Sequence, residues 1–471
     1  MSSVADGLPS DKRLAAVVAI SLGIGMATLD TAIVNTALPT LAEGIGTDSA
    51  SVIWVVNAYQ LATIAAVLPF ASLSDVVGHR RVFLGGLLVF VVASLFCGLA
   101  WSLPTLTAAR VVQGLGAAAI MSVNIALLRH IYPAKILGRG LGYNSLVVGL
   151  AFTLGPTAAS AILSVATWHW LYLINLPLGA LALWLGVRAI PVIPITGHAF
   201  DRLAAILCAG LFALLVLGLG SAVHGAQAVL TLGLIAVALL CGLLLIRRQA
   251  GHPAPMLAVD LFKRPLFTLS ALTAICAFSA QGLAFVSLPF LLQTVLGHSQ
   301  VATGFLMTPW PAVVAVMALI AGRLADRISL ALLCGIGLVM LSAGMASLAT
   351  LGNDASTFDI GWRMALCGAG FGFFQSPNLK AIMTSAPIAR SGGASGIVAT
   401  SRLMGQTLGA SLVALCVHLS LSSGPQYALW LGCGFALVGA VASGLRLMQD
   451  GANVELFGPC KTLRETATVA V

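Results

Sequence analysis

Charge is what this chain has least of. Fourteen Asp and Glu and 23 Lys and Arg make up only 8% of its 471 residues, where a water-soluble domain carries about 25%. A soluble globular fold is excluded. The nine cysteines fall almost all within apolar runs, and no outer loop holds a pair. A disulfide framework is therefore not expected, and the thiols read as small packing residues. Phosphate-binding chemistry is missing too: none of the five lysines follows a glycine, so there is no G-x-x-x-x-G-K-[ST] loop for an ATP-driven pump. A membrane-embedded enzyme would need clustered Asp or His at one face. The nearest approach, Asp75 with His79, has no histidine in its second copy around Asp326. No catalytic residue, metal site or cofactor is expected. The net charge of +9 is explained by topology rather than by nucleic acid.

What is present is hydrophobic sequence, 59% of the chain, arranged in runs of about 20 residues. Such runs make helices that cross a bilayer, since lipid leaves no partner for an open backbone. They fall at 14–38, 53–74, 82–100, 105–128, 140–164, 169–190, 202–221, 227–246, 266–292, 302–322, 329–350, 360–379, 395–418 and 427–446. Lys12-Arg13 before the first run mimics a signal peptide, but the run is too long and lacks a cleavage site, so it reads as a span. Fourteen spans place both termini on one side. If that side is cytoplasmic, 21 of the 23 Lys and Arg, Arg402 and Arg446 among them, lie at or near it. The other two, Arg110 and Arg363, fall inside spans, and the outer loops carry none, as the positive-inside rule requires.

The halves repeat. Asp30…Pro39 aligns with Gln281…Pro289, and Leu73-Ser74-Asp75 with Leu324-Ala325-Asp326, both at an offset of about 251. Arg110…Gly114-x-Gly116 aligns with Arg363…Gly368-x-Gly370, and Gly142 and Gly155 with Gly396 and Gly409, at 253–254. The expected organisation is a six-helix bundle at 1–195, an inserted helix pair at 196–250, a second six-helix bundle at 251–450 and a tail at 451–471. Repeated halves with a polar site between them are a common construction for secondary transporters.

Asp30 is the only acid deep inside a span. An ionised carboxylate there costs about 2.5–3.5 kcal/mol or more unless paired or protonated. Arg110 lies roughly 9 Å below the outer end of its helix, within reach of Asp30. Protonating Asp30 would release Arg110. In the second half Gln281 takes the place of Asp30, and Arg363 has Asp359 one turn away as a local partner. Proton chemistry is therefore expected in the first half.

The motifs now converge. Ala71-Ser72-Leu73-Ser74-Asp75-Val76-Val77-Gly78-His79-Arg80-Arg81 resembles the signature loop of the major facilitator superfamily, with Ala71 and Val76 departing from the usual glycine and arginine. Gly322-Arg323-Leu324-Ala325-Asp326-Arg327 resembles its second copy. Asp30-Thr31-Ala32-Ile33-Val34-Asn35-Thr36-Ala37-Leu38-Pro39 is similar to the first-span motif of the drug:proton antiporters with fourteen spans, as are Trp54…Tyr59-Gln60-Leu61 and Arg110…Gln113-Gly114…Gly116. Gly149…Gly155-Pro156 resembles the antiporter motif, and Trp168-His169-Trp170…Asn175-Leu176-Pro177 the W-R-W…N-x-P pattern, with His169 in place of arginine.

The resemblance implies an all-α polytopic membrane protein of the major facilitator fold, with two pseudo-symmetric six-helix bundles and two extra central helices. It further implies a proton-driven exporter of hydrophobic, cationic compounds of the drug and quaternary-ammonium type, acting as a monomer in the cytoplasmic (inner) membrane. The proton-motive force stands in place of a cofactor, and nucleic acid is not a partner. Asp30 and Arg110 would couple the proton; Asp75, Gly78, Arg80, Arg81, Arg323 and Asp326 would gate. Candidate cavity residues are Asn35, Asn57, Gln60, Gln113, Asn124, Tyr143, Asn144, Gln281, Trp310, Arg363, Gln375, Asn378 and Gln406, where aromatic faces and a carboxylate would suit a flat cation. The runner-up is an exporter of an anionic or zwitterionic metabolite held by Arg110 and Arg363. A non-transporting sensor with the same fold is the remaining class.

Overall fold

In a computed structural model the described residues form sixteen α-helices. The structure describes residues 7–133, 137–192, 200–223, 228–249, 259–325, 327–352, 354–386, 391–420 and 422–457. The first half contains α1 (Ser10–Ile45), α2 (Trp54–Val77), α3 (His79–Gly98), α4 (Leu103–Ile131), α5 (Leu137–Leu163), α6 (Trp170–Leu173) and α7 (Asn175–Ala189). Next come α8 (Arg202–Val223) and α9 (Ala228–Arg248). The second half contains α10 (Pro265–Phe290), α11 (Gln300–Met307), α12 (Pro309–Leu324), α13 (Leu330–Ala349), α14 (Thr357–Ser385), α15 (Ser391–Leu419) and α16 (Gly424–Phe457).

Two spans are broken. One continuous apolar stretch, Trp170–Ala189, holds α6 and α7; another, Gln300–Leu324, holds α11 and α12. The second break falls between Met307 and Pro309, because Pro309 has no N–H to continue the ladder. Among the described residues, eleven spans, the two broken ones included, are long and apolar enough to cross a membrane. The described apolar parts of α5 and α8 are shorter, at Val147–Leu163 and Arg202–Gly218, and α14 spans 29 residues. Together they account for the expected fourteen. Three helix starts on the face away from the termini are capped by serine. Ser102 and Thr105 close a reciprocal box on α4, while Ser299 accepts from the Ala302 N–H and Ser356 from the Asp359 N–H.

The internal repeat is visible as repeated packing. α3 on α4, α2 on α4, α1 on α5 and α1 on α7 recur as α13 on α14, α12 on α14, α10 on α15 and α10 on α16. Small residues set the closest approaches. A side chain at Gly116 would collide with the backbone of Gly86 and Phe90; one at Gly370 would collide with the backbone of Gly337 and Leu341. Such close backbone approach supplies van der Waals contact where lipid offers no hydrophobic drive. α8 packs on α2 and on α15, while α9 packs chiefly on α8. Both described ends of the chain lie at one face, called here the terminal face. α16 continues to Phe457, past the expected end of the second half, and residues 458–471 of the expected tail lie outside the described residues.

The halves meet most tightly toward the far face. Ile33–Ala42 of α1, Val52–Val56 on and before α2, Leu283, Val286 and Phe290 of α10, and Ala410–Val417 of α15 share one apolar cluster. Three hydrogen bonds join the halves there: Thr157 with Thr308 at 2.8 Å, the Ser160 hydroxyl to the Gln300 carbonyl at 2.8 Å, and the Gln293 amide to the Thr36 carbonyl at 3.4 Å.

Candidate functional site

Asp30 sits in the middle of α1 and is 1% exposed. Arg110, seven residues into α4, is fully buried and donates from one terminal guanidinium nitrogen to Asp30 Oδ2. The same nitrogen donates to Gln113 Oε1 at 2.6 Å, and Arg110 Nε donates to the Val55 carbonyl at 3.1 Å. The other carboxylate oxygen, Oδ1, accepts from Gln113 Nε2 and from Asn175 Nδ2, both at 3.0 Å. The Ser94 hydroxyl accepts from those two amides at 2.8 and 3.3 Å and donates to the Phe90 carbonyl. The guanidinium carbon lies 4.1 Å from the Tyr59 ring centre and 5.7 Å from that of Tyr172. Six helices, α1, α2, α3, α4, α6 and α7, thus contribute to one closed polar hub. Three donors meet the carboxylate, two on Oδ1 and one on Oδ2, the kind of satisfaction a buried ion pair needs if the attraction is to offset desolvation.

The structure brings Asp30 and Arg110 together as expected, and it places Gln113, expected in the cavity, in this hub instead. Ser94, Asn175, Tyr59 and Tyr172 were missed. Ser94 carries a sequence signal: it is the one hydroxyl in the apolar run of α3, and an isolated hydroxyl at that depth needs a partner. The carboxylate is also more enclosed than expected. Its oxygens are occupied from within the first half, which walls the carboxylate off from the space between the halves.

The expected cavity residues separate into three groups. Asn35, Asn57 and Gln60 are buried, and a side-chain oxygen of each has no partner. Gln281 accepts from the Gln406 amide at 3.2 Å, and Trp310, 1% exposed, stacks edge-on to Phe285, which meets Phe152 from the first half at 5.0 Å between ring centres. A second group opens toward the terminal face. The Asn124 amide donates to Asn144 Oδ1 at 3.0 Å, and Tyr143 and Gln375 are exposed. The third group is not in the cavity. Arg363 donates to the Ser347 carbonyl and pairs with Asp359 at 2.9 Å, an arrangement that caps α14 at the far face. Asn378 belongs to another cluster, in which fully buried Arg446 donates to Asn378 Oδ1 and Ser270 Oγ at 2.9 Å and to Ser443 Oγ at 2.6 Å.

The loop expected to gate is built around Gly78, whose φ of +101° is open to glycine at little cost. Asp75 lies 3.9 Å from His79 Nε2, Arg80 donates to the Val187 carbonyl on α7, and Arg81 donates to the Val77 carbonyl at 3.4 Å. Arg323 is exposed, and Asp326 lies outside the described residues. These bonds fasten α2 and α3 to each other and α3 to α7. Of the antiporter-motif residues, Gly155 presses against Ala32 of α1, the Pro156 carbonyl faces Gly304 of α11, and Gly149 stands in open space.

Two basic residues assigned to the membrane face lie inside the protein. Arg446 is fully buried because α16 runs three turns past it. Arg402 lies well inside α15, about 16 Å along the helix from Ser391. The apolar run had suggested a later start to this span, and the helix begins earlier.

Comparison with known proteins places this architecture. Residues 20–410 match the family description "Major Facilitator Superfamily". The uncharacterised transporter YebQ of Escherichia coli (strain K12) is 49% identical over 449 residues, covering 94% of this chain and 98% of that protein. The multidrug resistance protein Stp of Mycobacterium tuberculosis (strain CDC 1551 / Oshkosh) is 31% identical, over 87% of this chain and 77% of its own. A bacterial homologue of the human lysosomal transporter Spinster, crystallised inward-facing and unoccupied, shares the fold at a TM-score of 0.67 and 16% identity, over 93% of this chain and 97% of that one. The chain is a multi-pass membrane transporter, not an enzyme, and belongs to the major facilitator superfamily.

Proposed function

We propose that this transporter exports lipophilic compounds in exchange for protons by alternating access, with Asp30 as the proton site. The observation that carries the reading is the buried Asp30–Arg110 pair, which is tied through Arg110 Nε to the Val55 carbonyl. Val55 belongs to the apolar cluster that joins the halves at the far face. A proton on Asp30 removes the anion that holds Arg110, so the bond from Arg110 to α2 is free to rearrange together with that closure. Proton occupancy and the far-side seal then share one lever. Under this reading the terminal face is cytoplasmic, as the distribution of Lys and Arg supports, and the far-side closure corresponds to an inward-open state in the cell membrane.

Drug export is supported by the likeness to Stp, a multidrug resistance protein, and by an aromatic wall of Phe152, Phe285 and Trp310 that crosses between the halves. The cationic expectation assumed a carboxylate within reach of substrate. With Asp30 enclosed, substrate charge must be read from the cavity instead. The runner-up in its original form loses both its anchors, since Arg110 is held by Asp30 and Arg363 by Asp359.

The test is proton flux into a pH-sensitive dye trapped in proteoliposomes, on adding lipophilic dyes of either charge across a pH gradient. Asp30→Asn should reduce coupled flux to background; a variant with full flux sinks the assignment of the proton site.

A further inference from the structure

Among the described residues, Arg402 is the one deep arginine for which the structure offers neither an ion pair nor a hydrogen bond. Each of the other three has partners: Arg110 has Asp30, Arg363 has Asp359 and the Ser347 carbonyl, and Arg446 has two serines and Asn378. Among the described residues, Arg402 makes no hydrogen bond and no ion pair. It is part-exposed, in the span Gly396–Leu419. Its electrostatic neighbour is the Tyr59 hydroxyl of α2, in the opposite half.

The position follows from the helix register. Gly396 of α15 faces Leu68 of α2, and the two helices run antiparallel. Equal rise along both brings residues near 404 level with Gln60, so Arg402 lies within about one turn of Gln60. On α2, Asn57 and Gln60 share the face of Ile64 and Leu68 by their spacing of three, four and seven residues. Asn57 Oδ1 and Gln60 Oε1 are buried and unpartnered, as is Thr400 Oγ1 on α15. Above them the far-side cluster closes at Ala410. The cation therefore stands beneath the seal, beside buried polar groups that also lack partners. Desolvating a guanidinium without a partner is costly, and a site that keeps one gains that interaction when a ligand supplies the charge.

We infer that Arg402 is an anion subsite between the two halves, and that the exported compounds include aromatic amphiphiles bearing a carboxylate or comparable anionic group. The guanidinium takes the anion in a forked hydrogen bond, Asn57 and Gln60 accept from the ligand's hydroxyl or N–H groups, and the aromatic wall takes its ring. This deepens the export reading above by naming the substrate class. It rests on that reading for transport but not for binding, which needs no proton gradient.

Equilibrium binding therefore gives the test, with two xanthene dyes of similar shape, anionic fluorescein and cationic rhodamine 123. Both are measured by anisotropy on the purified full-length protein in detergent at constant pH. Wild type should bind fluorescein. Arg402→Gln should weaken fluorescein by about tenfold or more, with rhodamine 123 binding unchanged or tighter, and Arg402→Lys should recover part of the loss. Melting temperature is the second readout. A structural pin would lower it on removal, whereas an unpartnered cation leaves it unchanged or raises it in Arg402→Gln. Wild type that does not bind fluorescein, or Arg402→Gln that binds it within twofold of wild type, overturns the inference. Asp30→Asn separates the two proposals. It should keep the fluorescein affinity, so failure of proton coupling appears only in flux and failure of the anion subsite only in binding.

Discussion

The two halves share one set of helix contacts and place opposite chemistry on it. In the first half, Asp30, Ser94, Arg110, Gln113 and Asn175 form the polar hub. At matching positions in the second half stand Gln281, Met345, Arg363, Cys367 and Gly432. Met345 and Cys367 are fully buried in the apolar core of that half, and a side chain at Gly432 would collide with Met345. Near the terminal face the contrast reverses. Arg446, Ser270 and Ser443 cluster in the second half, where the first has Ala189, Ala19 and Gly186. The fold therefore tolerates either filling at either depth. A carboxylate at residue 30 is not an architectural requirement, which strengthens a functional reading of the one hub that contains an acid.

The pseudo-symmetric arginines give the largest contrast. Arg110→Gln strands a buried carboxylate, which should cost about 3–5 kcal/mol and abolish coupled flux. Arg363→Gln releases only a part-exposed pair at a helix end and should leave both melting temperature and flux nearly unchanged. Thermal unfolding and liposome flux on the two variants decide it, and equal losses would end the claim that the halves are chemically unequal. A smaller effect is expected from Arg446→Ala, which leaves Asn378 Oδ1 without its donor and should lower stability by about 2–3 kcal/mol while flux per folded molecule persists. Lost flux in a well-folded Arg446→Ala protein would give the terminal-side cluster a transport role.

The smallest effect concerns the inserted pair. Arg248 Nε donates to both oxygens of Asp201 at 3.0 and 2.9 Å, joining the two ends of the α8–α9 hairpin. That hydrogen bond is the main cause holding the Asp201 carboxyl below its usual range. A depressed carboxylate contributes stability above its unfolded value, near 3.9, and loses it as pH falls through the folded value. Hydrogen exchange at residues 200–205 should be flat from pH 8 to 5 after correction for intrinsic rates, and protection should fall below about pH 4. Arg248→Gln should remove that acid dependence.

The fold was legible because lipid leaves few options: twenty apolar residues make a helix, and Lys and Arg mark one face. Asp30 with Arg110 was legible for a related reason, since charges at that depth are scarce and seek each other. Asn175 and Tyr59 lay inside quoted motifs, yet neutral polar residues give no cost argument strong enough to single them out. Arg402 was assigned to the face although its own run, 395–418, already placed it about two turns in. α15 begins earlier still, at Ser391, which sets the arginine deeper along the helix.

The placement of α8 bears on how a lipophile could reach the cavity from the bilayer. A two-bundle transporter has two lateral seams, one on either side of the pseudo-twofold axis. Ile64, Val67 and Leu68 of α2, Cys208 and Phe212 of α8 and Leu403 of α15 share one apolar cluster, so α8 covers the seam where α2 meets α15. The other seam, between α5 and the α11–α12 pair, has no such inserted helix packed across it among the described residues. Equivalent by symmetry within the protein, the two seams are unequal to the surrounding lipid. One is roofed by protein, and the other borders the hydrocarbon.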